Sequence, residues 1–250
     1  MKNQYISKFK KFGYVKINLA NKGKKNLTKV KKKIQLKAIK LLKKKKFSLK
    51  KFHYLKVDNI ELNNFRTKLM QSINKDINLK KIIYEQLKNF IDECVGPDII
   101  VQKFQNLVIQ QPKDKNRAPF HKDAPVNSNY EIVVWLPLVD CFKSMSMYMF
   151  DIKIHEKVRK FIINNSDEKK IESFCKKNGK LINVRFGEVL IFLTNNYHYI
   201  PINEEDNTRW SFNIRYKNLF TPYGTKNLMD FYEIFKLSPT TKLINSIEKI

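Results

Sequence analysis

The segment Arg209-Trp-Ser-Phe-Asn-Ile-Arg215 alternates without a break between polar and apolar residues, and this constrains the fold more than any other feature. Successive side chains of an extended strand point to opposite faces. Arg209, Ser211, Asn213 and Arg215 therefore share one face, and Trp210, Phe212 and Ile214 the other. The apolar face needs a packed layer behind it. On a solvent-facing edge the polar face would be ordinary. Inside a barrel its two guanidiniums require anions to neutralise them, because an unpaired buried charge is costly. A dicarboxylic acid would serve.

The surrounding sequence favours the barrel. Ile99–Gln111, Tyr130–Val139, Ser144–Asp151, Leu181–Arg185, Val189–Thr194, Ile200–Asn203 and Arg209–Asn218 read as strands, with an inserted helix over 165–178. Many short strands at regular spacing indicate a sandwich or barrel. Upstream, Phe9–Asn18 reads as an opening strand, and Ile34, Leu36, Ile39, Leu41 and Leu42 as an amphipathic helix within the lysine-rich 22–56. Leu62, Phe65, Leu69, then Ile82, Ile83, Leu87, Phe90 and Ile91 mark two helices broken around Asn74–Asp76, the second ended by Gly96-Pro97. The class is mainly β with helices: a jelly-roll core buttressed by N-terminal helices. One domain over 1–250 is expected, with an N-terminal strand and helical buttress (1–96), a jelly-roll core (97–222) and a C-terminal tail (223–250).

The chemistry gathers in the loop Asp114–Asn129. If Phe120–Asp123 is extended, His121 and Asp123 reach one point while Lys122 turns away. An imidazole and a carboxylate are two thirds of the facial triad that holds non-haem Fe(II) with open positions. Alone, His-x-Asp is a weak motif, and a surface ion pair would look the same. It gains weight from His198, which directly follows the apolar strand Val189–Leu193.

Composition narrows the alternatives. The six glycines stand far apart, which excludes a Gly-rich phosphate loop or a dinucleotide fingerprint. No apolar run has the length of a membrane span, and the N-terminus lacks the apolar centre of a signal peptide, so a cytoplasmic protein is expected. Cys94, Cys141 and Cys175 are widely spaced and read as reduced, mostly buried thiols. The formal net charge is +27, yet only six of the 50 basic residues are arginine and 44 are lysine. That excess, including the run Lys43–Lys46, reads as a solvated surface with no specific nucleic-acid partner; attraction to nucleic acid, anionic lipid or acidic polysaccharide is the competing reading.

His121-x-Asp123, then His198, then Arg209-x-Ser211 together resemble the Fe(II)/2-oxoglutarate-dependent oxygenase superfamily, in its phytanoyl-CoA dioxygenase-like branch. Phe186-Gly-Glu-Val-Leu-Ile-Phe192 resembles that family's segment before the distal histidine, and Lys8–Ile17 its opening strand. Gln102–Pro112, Tyr130–Cys141 and Ser146-Met-Tyr148 look like oxygenases of carbohydrate biosynthesis clusters. The likeness spans about residues 60–220; the lysine-rich 20–56 has no counterpart in it.

The resemblance implies a double-stranded β-helix of cupin type. It implies that His121, Asp123 and His198 bind Fe(II), and that Arg209 takes the distal carboxylate of 2-oxoglutarate with help from Ser211. O2 would take a remaining metal position, and succinate and CO2 would be released. Asn106 and Gln110 would hydrogen-bond the cosubstrate or serve only their strand; Trp135 would wall the pocket or pack the core. Asp123 is the carboxylate that halogenating relatives lack, which favours hydroxylation or a related oxidation. The substrate would be a small molecule, carbohydrate or carbohydrate conjugate. The alternatives are a nucleic-acid-directed oxidative demethylase and a jelly-roll sugar-binding protein without catalysis.

Overall fold

The computed structural model describes residues 2–43, 46–125 and 127–247; Lys44 and Lys45 of the lysine run lie outside the described residues. The core is a seven-stranded sheet in the order β1 (Tyr14–Asn18), β7 (Glu188–Leu193), β4 (Glu131–Pro137), β9 (Arg209–Asn218), β2 (Ile99–Gln102), β10 (Tyr232–Lys236), with β3 (Asn106–Gln110) also on β9. A second sheet, β6 (Lys180–Ile182), β5 (Met147–Met149), β8 (His198–Tyr199), faces it. Every named pairing is antiparallel. The expected barrel core is present.

The expected strand Ile99–Gln111 is two pieces, split at 103–105, that both pair with β9: Val101 opposite Tyr216, and Leu107 opposite Phe212. With β4 on its other edge, β9 is held along its whole length. Its faces separate as the alternation requires. Trp210, Phe212, Ile214 and Tyr216 are fully buried on the outer side. There Trp210 meets Phe52 and Phe65 edge-on at 5.3 and 6.2 Å, and the Tyr216 hydroxyl donates to the Lys80 carbonyl at 2.6 Å.

The layer behind it consists of α3 (Asn59–Asp76) and α4 (Leu79–Val95), covered in turn by α2 (Asn21–Leu41). Asp58 and Asn78 start the two inner helices by accepting hydrogen bonds from the backbone N–H groups of Glu61 and Lys81. Leu62, Phe65, Leu69 and Ile73 form the buried stripe of α3.

Several local expectations are corrected. The expected opening strand Phe9–Asn18 is a strand only over Tyr14–Asn18; Phe9–Phe12 belongs to helix α1 (Lys2–Phe12), because Ile6 and Phe9 lie one turn apart and both bury, Phe9 against Phe90 at 5.3 Å. Gly13 then turns the chain at φ +79°, where a Cβ would lie 2.6 Å from the Asn196 side chain. In α2 the buried stripe is Leu27, Val30, Ile34 and Ala38, while Leu36 and Leu41 are exposed; the true register starts further upstream. The inserted helix is a pair, α5 (His155–Asn164) and α6 (Glu168–Asn178). Ile200–Asn203 is not a strand; its place is taken by β8. The C-terminal tail contributes β10 to the main sheet and α7 (Pro239–Ile247) beyond it. No helix of the described residues is long and apolar enough to cross a membrane.

Candidate active site

Between the sheets lies a pocket of about 300 Å3. All eight residues singled out in the sequence line it: Asn106, Gln110, His121, Asp123, Trp135, His198, Arg209 and Ser211.

His121 and His198 stand directly opposite each other. Their backbones exchange hydrogen bonds at 3.2 and 3.0 Å in an isolated antiparallel bridge, which sets the two rings 4.4 Å apart. Each ring is oriented by its other nitrogen: His121 Nδ1 lies 2.6 Å from the Pro119 carbonyl, and His198 Nδ1 3.1 Å from the Asn196 carbonyl. With Nδ1–H donating to those carbonyls, each Nε2 lone pair is free and points inward. Asp123 Oδ1 sits 3.2 Å from Nε2 of His121 and 4.0 Å from Nε2 of His198. One ligand atom from each of the three residues falls within 4.8 Å of the others, a spacing that one metal ion can bridge.

The electrostatics suit a cation. Burial and the neighbouring His121 push His198 down to about 4, so its imidazole is neutral at pH 7. Burial alone would raise Asp123, but the neighbouring His121, His198 and Arg215 outweigh it and hold the carboxyl below the usual carboxylate range. Burial would likewise lower His121, yet Asp123 and the Pro119 carbonyl raise it.

Arg215 holds the other Asp123 oxygen. Its Nη2 donates to Oδ2 at 2.7 Å and its Nη1 to Gln102 at 3.4 Å, with Glu131 3.7 Å from Nε. Glu131 accepts from the Ser128 N–H at 2.8 Å and from the Tyr232 hydroxyl. The metal-facing carboxylate is thus braced by a buried chain running back to β10, in the segment expected to be a tail.

Arg209 differs. It is 2% exposed, its Nε and Nη1 have no hydrogen-bond partner among the described residues, and burial lowers its pKa. The nearby Ser211 Oγ and Gln110 Oε1 are also buried without partners, although Gln110 Nε2 donates to the Pro201 carbonyl at 3.2 Å. Native interiors rarely strand such atoms, so this cluster has the form of an anion receptor. Trp135, 2% exposed, forms part of the wall, and Asn106 pairs in register with Asn213.

Among the lining residues not anticipated as site residues are Asn59, Asn63 and Arg66 on α3, and Asn116 and Arg117 in the metal loop. The helical spacing of 59, 62, 63 and 66 was the available signal, because these positions fall on one face.

No family model matches the sequence, and no curated protein does. Solved structures match by fold. A non-haem monooxygenase, ThoJ in complex with nickel, is 16% identical over 94% of this chain and 84% of its own, with a TM-score of 0.56. SnoK, a non-haem α-ketoglutarate-dependent carbocyclase from nogalamycin biosynthesis, is 12% identical over 90% and 87%, with a TM-score of 0.56. HygX from Streptomyces hygroscopicus, solved with nickel and 2-oxoglutarate, is 8% identical over 92% of both chains, with a TM-score of 0.52. The fold is that of the non-haem 2-oxoglutarate enzymes, a double-stranded β-helix.

Proposed function

We propose that the chain is an Fe(II)- and 2-oxoglutarate-dependent oxygenase that oxidises a small molecule, a carbohydrate or carbohydrate conjugate, with release of succinate and CO2. One observation carries this reading: a complete His121–Asp123–His198 ligand set shares a pocket with the buried, unpartnered guanidinium of Arg209. The donor set, two imidazoles and one carboxylate, fits Fe(II) with open positions. Bound there with 2-oxoglutarate, the metal supplies O2 activation coupled to oxidative decarboxylation.

The remaining roles belong to the chain. His121, Asp123 and His198 hold the metal, their ring and carboxylate orientations fixed by Pro119, Asn196 and Arg215. Arg209 binds the distal carboxylate of 2-oxoglutarate as a two-pronged donor, and the Ser211 hydroxyl adds one bond. Gln110 and Asn106 line the same cosubstrate end, and Trp135 keeps water from it. Arg215 does not compete for the carboxylate, because Asp123 already occupies it. Asn59, Asn63 and Asn116 offer amides to a polyhydroxy substrate at the pocket wall, and the pocket volume is that of a small-molecule site.

The test is metal-dependent succinate formation from 2-oxoglutarate with sugar conjugates as prime substrates. The His198→Ala protein should bind no Fe(II) and form no succinate; full turnover by that variant refutes the assignment.

A further inference from the structure

Arginine is scarce in this chain and lysine abundant, yet the pocket reverses the ratio. Four of the six arginines line it, Arg66, Arg117, Arg209 and Arg215, and no lysine among the described residues does. Guanidinium offers a planar fork for carboxylate or phosphate, and ammonium does not. The distribution therefore follows ligand geometry and not surface charge.

Three of the four arginines are accounted for. Arg215 is ion-paired with Asp123 and Glu131. Arg117 pairs with Glu168 on α6 and lies over the Tyr199 ring at 4.9 Å. Arg209 awaits 2-oxoglutarate on the reading above. Arg66 has no counter-ion among the described residues, and its Nε is buried without a hydrogen-bond partner. Asp114 does not reach Arg66 as an ion pair; its Oδ1 accepts from the Asn116 N–H at 2.8 Å.

We infer that the substrate of this site carries an anionic group, carboxylate or phosphate, and that Arg66 receives it, with Asn59 and Asn63 of the same helical face beside it. This rests on the oxygenase reading and adds the substrate's charge class. It also makes α3 a specificity element: its apolar stripe supports β9 and its Asn/Arg stripe meets the ligand.

The experiment uses Fe(II)-loaded protein held anaerobically with saturating 2-oxoglutarate. Glucose 1-phosphate, glucuronate and glucose are compared at equal concentration by thermal shift and by calorimetry. The expected result is stabilisation by one or both anionic probes and none by glucose. The binding should weaken at least tenfold in Arg66→Gln and partly recover in Arg66→Lys, while 2-oxoglutarate affinity stays within twofold of wild type in both. Which anionic probe binds distinguishes phosphate from carboxylate. Anion binding equal in wild type and Arg66→Gln would assign it to surface lysines and overturn the inference. Loss of 2-oxoglutarate affinity in Arg66→Gln would place Arg66 in the cosubstrate site and overturn it too. Failure of the parent reading looks different: wild type would then show no metal-dependent 2-oxoglutarate binding at all.

Discussion

The two ends of β9 present the same side chain in opposite surroundings. Arg215 is buried between Asp123 and Glu131 and braces a metal-ligand carboxylate. Arg209, on the same face of the same strand, is buried with no carboxylate among the described residues near enough to pair. A guanidinium satisfied by the protein is a structural part, and one left unsatisfied is, on the proposed reading, a binding site. The fold tolerates the second because β9 is clamped on both edges by β4, β2 and β3, and because Trp210, Phe212 and Ile214 are locked into the helical layer behind. Replacing a buried charge that has partners and one that lacks them should therefore have different consequences.

The largest effect is expected at the satisfied end. Arg215→Met strands Asp123 and Glu131 without their cation, and breaking a buried pair in this way costs about 3–5 kcal/mol. Urea denaturation should show that loss, and Fe(II) affinity should fall with it; a loss below about 1 kcal/mol would mean that the pair is not structural. Arg209→Met should do the reverse. Its apo stability should equal or exceed wild type, while 2-oxoglutarate binding falls at least about a hundredfold, since two charge-assisted bonds of about 1.5–3 kcal/mol each are lost. Equal destabilisation by both variants would erase the distinction. Ser211→Ala sharpens it further: one bond to the carboxylate of about 1.5–3 kcal/mol disappears where Arg209 loses two, so affinity should drop about tenfold or more, less than in Arg209→Met, with turnover retained.

The smallest effect lies just past Arg215. Burial lowers the Lys217 ammonium to about 8 from the ordinary value of 10.5, although its amine donates to Asn218 and Thr221. Between those pH values the unfolded chain binds more protons than the folded one, so Lys217's contribution shifts toward stability as pH rises through that window. The stability difference between wild type and Lys217→Met should accordingly move in favour of wild type from pH 8 to pH 10. A difference independent of pH would show that Lys217 is not held in this way.

Much of this was legible from local pattern. The period-two alternation of 209–215 fixed both faces of β9, and His121-x-Asp123 with His198 marked three residues that do converge. What stayed hidden depends on contacts distant in sequence. The bridge that sets His121 against His198 links residues that no periodicity connects. The tail's Tyr232 reaches Glu131 across 101 positions, and nothing in residues 223–250 announces a sheet strand. Arg66 carries no signal of its own, because the polar stripe of an amphipathic helix reads the same whether it faces water or a pocket. In α1 the apolar turn-to-turn spacing was short and set among lysines, so the strand pattern of Tyr14–Asn18 extended too far back.

The most direct test is calorimetric titration of 2-oxoglutarate into the Fe(II)-loaded, oxygen-free protein, with Arg209→Lys and Arg215→Lys beside wild type at saturating metal. Lysine keeps the charge and loses one prong of the fork, so Arg209→Lys should bind about tenfold or more weakly, the loss of one charge-assisted bond. Arg215→Lys should keep most of its affinity once the metal is bound. The account is contradicted if Arg209→Lys binds like wild type and Arg215→Lys carries the loss.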